Sequence, residues 1–309
     1  MLTILQIVLL SDIVWYMDKK QNEMNENQKI EYEKRGYLNE DFKIFYLEDI
    51  APAEIEYHYH DFDKILVFFK GNITYTIEGK SYTLIPGDII LVPQGDTHKV
   101  ESEENSIYAR LVIYLSPQYL SSIVENEKSL RDCFLHAKER YSNVVRLNEK
   151  GKEQLSVLAA GMRDDIRKKE KIGFDLLFQR TCLLQFLISL NRKMKDESLH
   201  FVNTNQCDKK IVEIIQYLNY HLTEEISIDG LADRFFVSKY HMMRRFKAET
   251  GYTIGNYINQ KRLLYARELL KQGESVTKVY LDSGFKDHST FVRAYKQMFH
   301  EVPSKRGLL

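Results

Sequence analysis

Two stretches of this 309-residue sequence, SKYHMMRRFK (238–247) and DHSTFVRAYK (287–296), follow one plan 49 residues apart. Each opens on a residue that caps helices, Ser238 or Asp287. Met242 and Phe246 then face one way in the first stretch, as Phe291, Ala294, Tyr295 and Met298 do in the second. The opposite faces carry Tyr240, Met243, Arg244 and Lys247, and Ser289, Val292, Arg293 and Lys296, position for position. Lys239 and His288 fall in the two first turns. A short amphipathic run precedes each stretch: Ser227 caps Ile228, Leu231, Ala232 and Phe235, and Ser275 caps Val276 and Val279. Val237 packs on Met242 as a hydrophobic staple, and Gly284 supplies the left-handed residue that ends a helix. Two short helices joined by a tight turn, the second with a basic outer stripe, have the form that enters a major groove. Here there are two such units, with the Leu/Ala-faced segment Thr253 to Gly273 between them as a rigid spacer. That arrangement would set two recognition helices in successive turns of B-DNA, about 34 Å apart.

Charge distribution agrees. Net charge is zero, but from Asn205 onward there are 17 Lys/Arg against 12 Asp/Glu, leaving 27 against 32 before it. A basic last third on an acidic body points to nucleic acid as the local partner. The three cysteines, Cys133, Cys182 and Cys207, are widely spaced, which argues against a disulfide framework or zinc ribbon and fits a cytoplasmic protein. The apolar start, MLTILQIVLLSDIVWYM, is too short for a membrane span, is broken by Asp12, and lacks a signal peptide's basic flank and cleavage site. Residues 1–29 are read as an over-extended or poorly ordered N-terminus, and no membrane partner is expected.

The front of the chain has a different rhythm. From Phe42 to Ser116 short β patterns alternate with turns at Gly71-Asn72, Glu78-Gly79-Lys80 and Pro86-Gly87-Asp88. Many short strands at close spacing indicate a sandwich or small barrel. After Ser116 the period becomes helical, with Leu155, Leu158, Ala159 and Met162 on one face. FDLLFQRTCLLQFLISLNRKMK is apolar around most of a helix. One side of it holds Phe174, Leu177, Phe178, Thr181, Cys182, Gln185 and Phe186. Such a helix needs cover on more than one side, from its own chain or from a second copy.

The last third, across about residues 208–306, resembles the DNA-binding domain of AraC-type (AraC/XylS) transcription regulators. RLLYARELL (262–270), the GF.D.S.F.R.YK pattern from Gly284 to Lys296, and Pro303 carry the likeness. Tyr280, Arg245 and His300 depart from the pattern, which has a small residue, an apolar residue and a glycine there. Residues 42–116, through HYH, the PGD turn and the P-x-G-x-x-H string (Pro93, Gly95, His98), resemble the cupin-like sensor barrel of the same family.

The resemblance implies a mixed, multidomain chain: an all-β cupin-like barrel (30–120), a helical coupling and dimerisation segment (121–195), a linker (196–207) and an all-α double helix-turn-helix (208–309). It implies a sequence-specific, ligand-responsive transcription regulator, activator or repressor, and not an enzyme. Its expected partners are a double-stranded DNA operator, a small-molecule effector such as a sugar or metabolite, a second copy of the chain and RNA polymerase. Expected DNA contacts are Lys239, Tyr240, Met243, Arg244, Lys247, His288, Ser289, Val292, Arg293 and Lys296. Arg244 and Arg293 are placed on base edges, Met243 and Val292 near thymine methyls, and Lys247, Lys296, Lys261 and Lys305 on phosphates.

The expected ligand-binding residues are His58, His60, His98, Tyr75, Tyr108 and Arg110. Cupins that bind metal add a glutamate four or five residues after an H-x-H, where this chain has Lys64 and Ile65. No cofactor is expected. The three histidines remain the fallback metal set, with Asp61 or Asp63 as substitute ligands. The rival reading is a metal-dependent cupin enzyme with a helical appendage.

Overall fold

The run DKILVFFK (Asp63–Lys70) is apolar without alternation because both faces of its strand are covered. Ile65 and Val67 join a core shared with helices, whereas Leu66 and Phe68 point into the interior of a barrel. The protein, seen here as a computed structural model, is described over residues 35–36, 38, 40–50, 54–103, 106–125, 128–168, 173–194, 199–204 and 206–304. The N-terminal segment 1–29 and Lys305 lie outside the described residues. The chain divides into two compact units, residues 1–36 and 37–309. Of the first, only the two-residue strand Arg35–Gly36 is described.

In the second unit the β elements are β1 (Phe42–Ile50), β2 (Glu54–His60), β3 (Asp63–Lys70), β4 (Ile73–Ile77), β5 (Lys80–Thr83), β6 (Ile89–Val92), β7 (His98–Ser102) and β8 (Ile107–Leu115). Helices α1 (Pro117–Ser122) and α2 (Asp132–Glu139) follow, then β9 (Val144–Leu147), α3 (Glu149–Arg167), α4 (Asp175–Lys193) and β10 (Leu199–Phe201). One antiparallel sheet has the order β10-β9-β6-β3-β8-β1, and the facing sheet runs β2-β7-β4-β5. The strands expected over 42–116 are thus present as a small barrel. The domain boundaries expected beyond it need correcting. Strand β9 lies inside the stretch expected to be purely helical, and β10 inside the stretch expected to be a linker. Cys207 adds a bridge to Lys80, so the linker segment is pinned to the barrel by backbone hydrogen bonds.

Turn residues explain the strand ends. Glu78 and Gly79 both have positive φ, 49° and 75°, which suits the tight β4–β5 hairpin. Asp88 of the PGD turn is fully buried, accepts the Ile85 amide at 2.9 Å and holds Arg146 of β9 through two 2.8 Å bonds. The outer face of the larger sheet is covered by α2, α3 and α4. Helix α4 buries Leu183, Phe186, Leu187 and Leu190 there and exposes Phe174, Leu176, Leu177 and Ile188. Of the side that runs from Phe174 to Phe186 only Phe186 is buried, because the sheet meets the helix along its C-terminal half.

The last third forms α5 (Lys209–Tyr220), α6 (Ile228–Arg234), α7 (Lys239–Thr250), α8 (Ile254–Lys271), α9 (Val276–Asp282) and α10 (His288–Phe299). All four expected caps form: Ser227, Ser238, Ser275 and Asp287 each accept the backbone amide three residues on. Helix α8, about 27 Å long at 1.5 Å per residue, divides its apolar face between two cores. Ile254, Tyr257 and Ile258 pack with α5, α6 and α7, while Leu263, Leu264, Ala266 and Leu270 pack with α9 and α10. Tyr280 does not splay the second unit: it sits half-buried with its ring against His288 and Phe291.

Gly284 ends α9 with φ +83°, and a Cβ there would meet the Thr223 backbone at 2.7–3.0 Å. Gly284→Ala combines a disfavoured backbone conformation with a clash against atoms that cannot rotate away. It is expected to cost about 2 kcal/mol or more, and chemical denaturation of the full chain against wild type measures this.

Candidate functional site

Helices α7 and α10 carry the residues expected to face DNA. Tyr240, Met243, Arg244 and Lys247 are exposed along α7, as are His288, Ser289, Arg293 and Lys296 along α10. Lys239 is exposed but paired to Asp229 at 2.8 Å, a surface contact weak enough to yield to a phosphate. Val292 is the exception: it is half-buried and packs in part on the second unit's core. Arg245, which departs from the family's apolar residue, pairs with Asp208 at 2.9 Å and with Glu249 at 3.4 Å, tying α7 to the start of α5.

Lys261 requires the clearest correction. It was expected on a phosphate, yet its ammonium is buried against the barrel, 2.7 Å from Asp96 and 3.6 Å from Glu78. Burial pulls its pKa down, but Asp96 and then Glu78 more than offset this, leaving it above its ordinary value. Lys261 belongs to a seam along which α8 docks on the barrel. Gln260 donates to the Gly95 carbonyl at 3.1 Å, Arg267 pairs with Asp61 at 2.6 Å, and Gln118 donates to Glu268 at 2.6 Å. The Tyr257 hydroxyl donates to Glu78. Gly95 allows this approach: a Cβ on it would lie 2.5 Å from Leu264 Cδ1. A cavity of about 550 Å³ opens beside the seam, between the barrel with α2 and the helices α5 and α8.

The histidine-rich strand β2 reaches both compartments, because alternate side chains point to opposite faces. Tyr59 packs into the core of the second helix-turn-helix unit and meets Tyr252 at a ring distance of 5.6 Å. Tyr57 lies against Gly251, at the end of α7. His58 and His60 turn the other way and cluster with His98 of β7, ring centres 4.2–5.0 Å apart. Tyr75 and Tyr108 also face the barrel interior, Tyr75 stacked on His98 and Tyr108 beneath the Arg110 guanidinium. Four of the six expected ligand residues are already engaged: Arg110 pairs with Asp49 at 2.6 Å, the Tyr75 hydroxyl accepts from Lys64 Nζ at 3.0 Å, and the His58 and His98 rings bond backbone carbonyls.

Lys64 is what residue-type reasoning undervalued. It is buried, and its Nζ lies 3.5 Å from His98 Nε2. Burial, then the charge of Arg110, pulls its pKa down to about 7. The ligating atoms of His58, His60 and His98 lie within 4.8 Å of one another, but an ammonium stands where a carboxylate would balance a divalent ion. Asp61 and Asp63 do not substitute, since they pair with Arg267 and Arg131. By geometry the three imidazoles form a metal-capable set, and the missing carboxylate and the facing lysine both weaken its hold on a divalent ion.

The His58 and His98 rings lie 2.8 and 3.0 Å, through Nδ1, from the carbonyls of Glu56 and Asp96. Burial first, then neighbouring positive charge, holds His58 down to about 4 and His60 and His98 well below the usual value. As pH falls below 6.5 the unfolded chain takes up protons that these rings refuse, so stability falls with pH in that window. His58 alone accounts for about 2 kcal/mol by pH 5. Thermal melts should show Tm dropping by several degrees from pH 7 to pH 5, against the opposite pull of Asp61 and Glu78, whose carboxyls burial raises; a drop as large in a His58→Gln variant would mean that this ring is not buried and neutral.

Residues 43–177 match the family model of the AraC-like ligand binding domain, and residues 231–306 match that of a helix-turn-helix domain. The HTH-type transcriptional activator RhaS of Escherichia coli is 27% identical over 258 residues, spanning 82% of this chain and 88% of the relative. RhaS of Citrobacter koseri is 28% identical over 250 residues, 80% of this chain and 85% of the relative. Among solved structures, ToxT from Vibrio cholerae aligns over 86% of this chain and 97% of its own at 16% identity, with a TM-score of 0.33. The DNA-binding domain of AdpA in complex with a target DNA covers 29% of this chain and 83% of its own at 26% identity, with a TM-score of 0.29. Both matched domains, in this order on one chain, make the protein an AraC-family transcription regulator with an AraC-like ligand-binding domain ahead of a helix-turn-helix DNA-binding domain.

Proposed function

We propose that the protein reads an operator through two successive major-groove turns with α7 and α10, and that a small molecule in the barrel interior sets how the reader is held. The observation that carries this is the single spacer helix α8, which anchors both helix-turn-helix cores on one face and the barrel on another. Arg244 and Arg293 read base edges, where a guanidinium pairs bidentately with guanine. Lys247 and Lys296 meet phosphates, and Tyr240, Lys239, His288 and Ser289 complete the contact surface. Strand β2 couples the two events: a ligand that moves His58 or His60 moves Tyr57, Tyr59 and Asp61, which touch the reader.

A homodimer fits the exposed face of α4. Phe174, Leu177, Thr181, Leu184 and Ile188 recur at three- and four-residue steps, the seam of a two-helix pair, and all but Leu184, which is half-buried, are exposed. Among the described residues no helix is long and apolar enough to cross a membrane. We place the protein in the cytoplasm, where DNA and RNA polymerase are at hand.

Operator binding by the full chain tests the reader. Arg244→Ala is expected to cost about 1–3 kcal/mol and relax preference at one base position. Lys247→Ala should weaken all sequences alike and lower the salt slope by about one. Equal weakening everywhere by Arg244→Ala would remove it from base reading. In analytical ultracentrifugation the wild type should sediment as a dimer and Leu177→Asp as a monomer; an unchanged dimer would move the interface off α4.

A further inference from the structure

The least explained group in the molecule is the Lys64 side chain. Its hydrogen-bonding partners among the described residues are the Tyr75 hydroxyl at 3.0 Å and His98 Nε2 at 3.5 Å, both uncharged groups. The arginines near it in the fold each have a carboxylate: Arg110 has Asp49, Arg131 has Asp63 and Arg146 has Asp88. Around Lys64 stand His58 and His60 from β2, Tyr75 from β4, His98 from β7, and Arg110 and the cross-strand neighbour of Lys64, Tyr114, from β8, while Tyr108 lies on the far side of Tyr75. None of these is an acid. A buried charge without a partner is expensive, and three nearby polar atoms share the predicament. Both ring nitrogens of His60 and the Tyr108 hydroxyl are shielded from solvent with no hydrogen-bond partner among the described residues.

We propose that the barrel interior binds its effector through a single carboxylate, with Lys64 as counter-ion. This rests on the sensor reading above and names the ligand class it takes. One carboxylate oxygen accepts from Lys64 Nζ. The other accepts from the Tyr108 hydroxyl or from His60, which carries one N–H donor in either neutral tautomer. The pairing narrows the class: Arg110 already has Asp49, so Lys64 is the interior cation left without a carboxylate, which matches a monoanion better than a phosphate dianion. The remaining wall sets the rest of the ligand. Phe62 stacks on His60 at 4.5 Å and meets Tyr114 at 4.3 Å, an aromatic surface suited to an apolar body. Substituting lysine for the carboxylate of a metal-holding cupin thus turns a cation site into an anion site.

Matched probes test this on the full chain: acetate against acetamide, benzoate against benzamide, with inorganic phosphate and glucose alongside, read by thermal shift and calorimetry. The wild type should bind at least one carboxylate and ignore its amide. Lys64→Met should fold at least as stably without ligand and bind that carboxylate about tenfold to a hundredfold more weakly. Tyr108→Phe, which keeps the charge, should lose less. Binding of an amide or glucose equally to wild type and Lys64→Met overturns the carboxylate assignment and leaves the sensor reading standing. Binding of phosphate in preference to the carboxylates overturns the match to a monoanion. Absence of binding by both carboxylates, or equal binding of a carboxylate to wild type and Lys64→Met, overturns the assignment and leaves the sensor reading standing.

Discussion

Lys261 lies out of water between Asp96 and Glu78, and the geometry of the regulator follows from that contact. A buried ion pair adds little net stability over an apolar substitute, because desolvation consumes most of the attraction. What it enforces is register. The ammonium is satisfied only where α8 meets the loop that carries Pro93, Gly95 and Asp96, and removing either side strands the other. Around it the Arg267–Asp61 and Gln118–Glu268 contacts are directional as well. A greasy contact would let the spacer helix slide; this one holds it in a single seat.

Because α8 is seated this way, its two apolar stretches place both α7 and α10 relative to the barrel. Strand β2 then becomes the natural relay. Pleating sends His58 and His60 inward and Tyr57 and Tyr59 outward, and Asp61 follows at the strand's end to hold Arg267. A shift of the strand along its length is felt in both compartments with no intermediate element. The population-shift description of such a switch requires a ligand with different affinity for two seatings of the reader. The polar seam makes leaving that one seat an all-or-none event, since half-made ion pairs are worse than either made or solvated ones.

Much of this was legible from residue type and spacing, for definite reasons. Ser227, Ser238, Ser275 and Asp287 cap helices because capping is local chemistry, and Met242, Phe246, Phe291 and Tyr295 are buried because a 3.6-residue period leaves them one side to occupy. Lys261 was misread for the opposite reason. A lysine on an amphipathic helix of a basic domain looks like a phosphate contact unless its partners, 165 residues earlier at Asp96 and farther still at Glu78, are known. Val292 looked outward by repeat position, yet the second unit's core reaches it. The strand at Leu199–Phe201 was hidden because three residues in a polar stretch carry no period.

Two buried lysines show how the same residue type takes opposite roles. Lys261 has two carboxylates within ion-pair distance and stays charged; its function is finished when the chain folds. Lys64 has a phenol and an imidazole, and its pKa slides toward neutrality because nothing opposes the desolvation. Folding alone would be served better by methionine at that position, which fills a similar volume with no charge to bury. Such a group keeps a standing cost that only a bound anion relieves, and relief on binding is what a sensor needs: the free energy of ligand binding arrives where His58, His60 and His98 meet strand β2. The same strand touches the reader on its other face, so the residue that weakens the empty barrel is the one placed to report that it is filled.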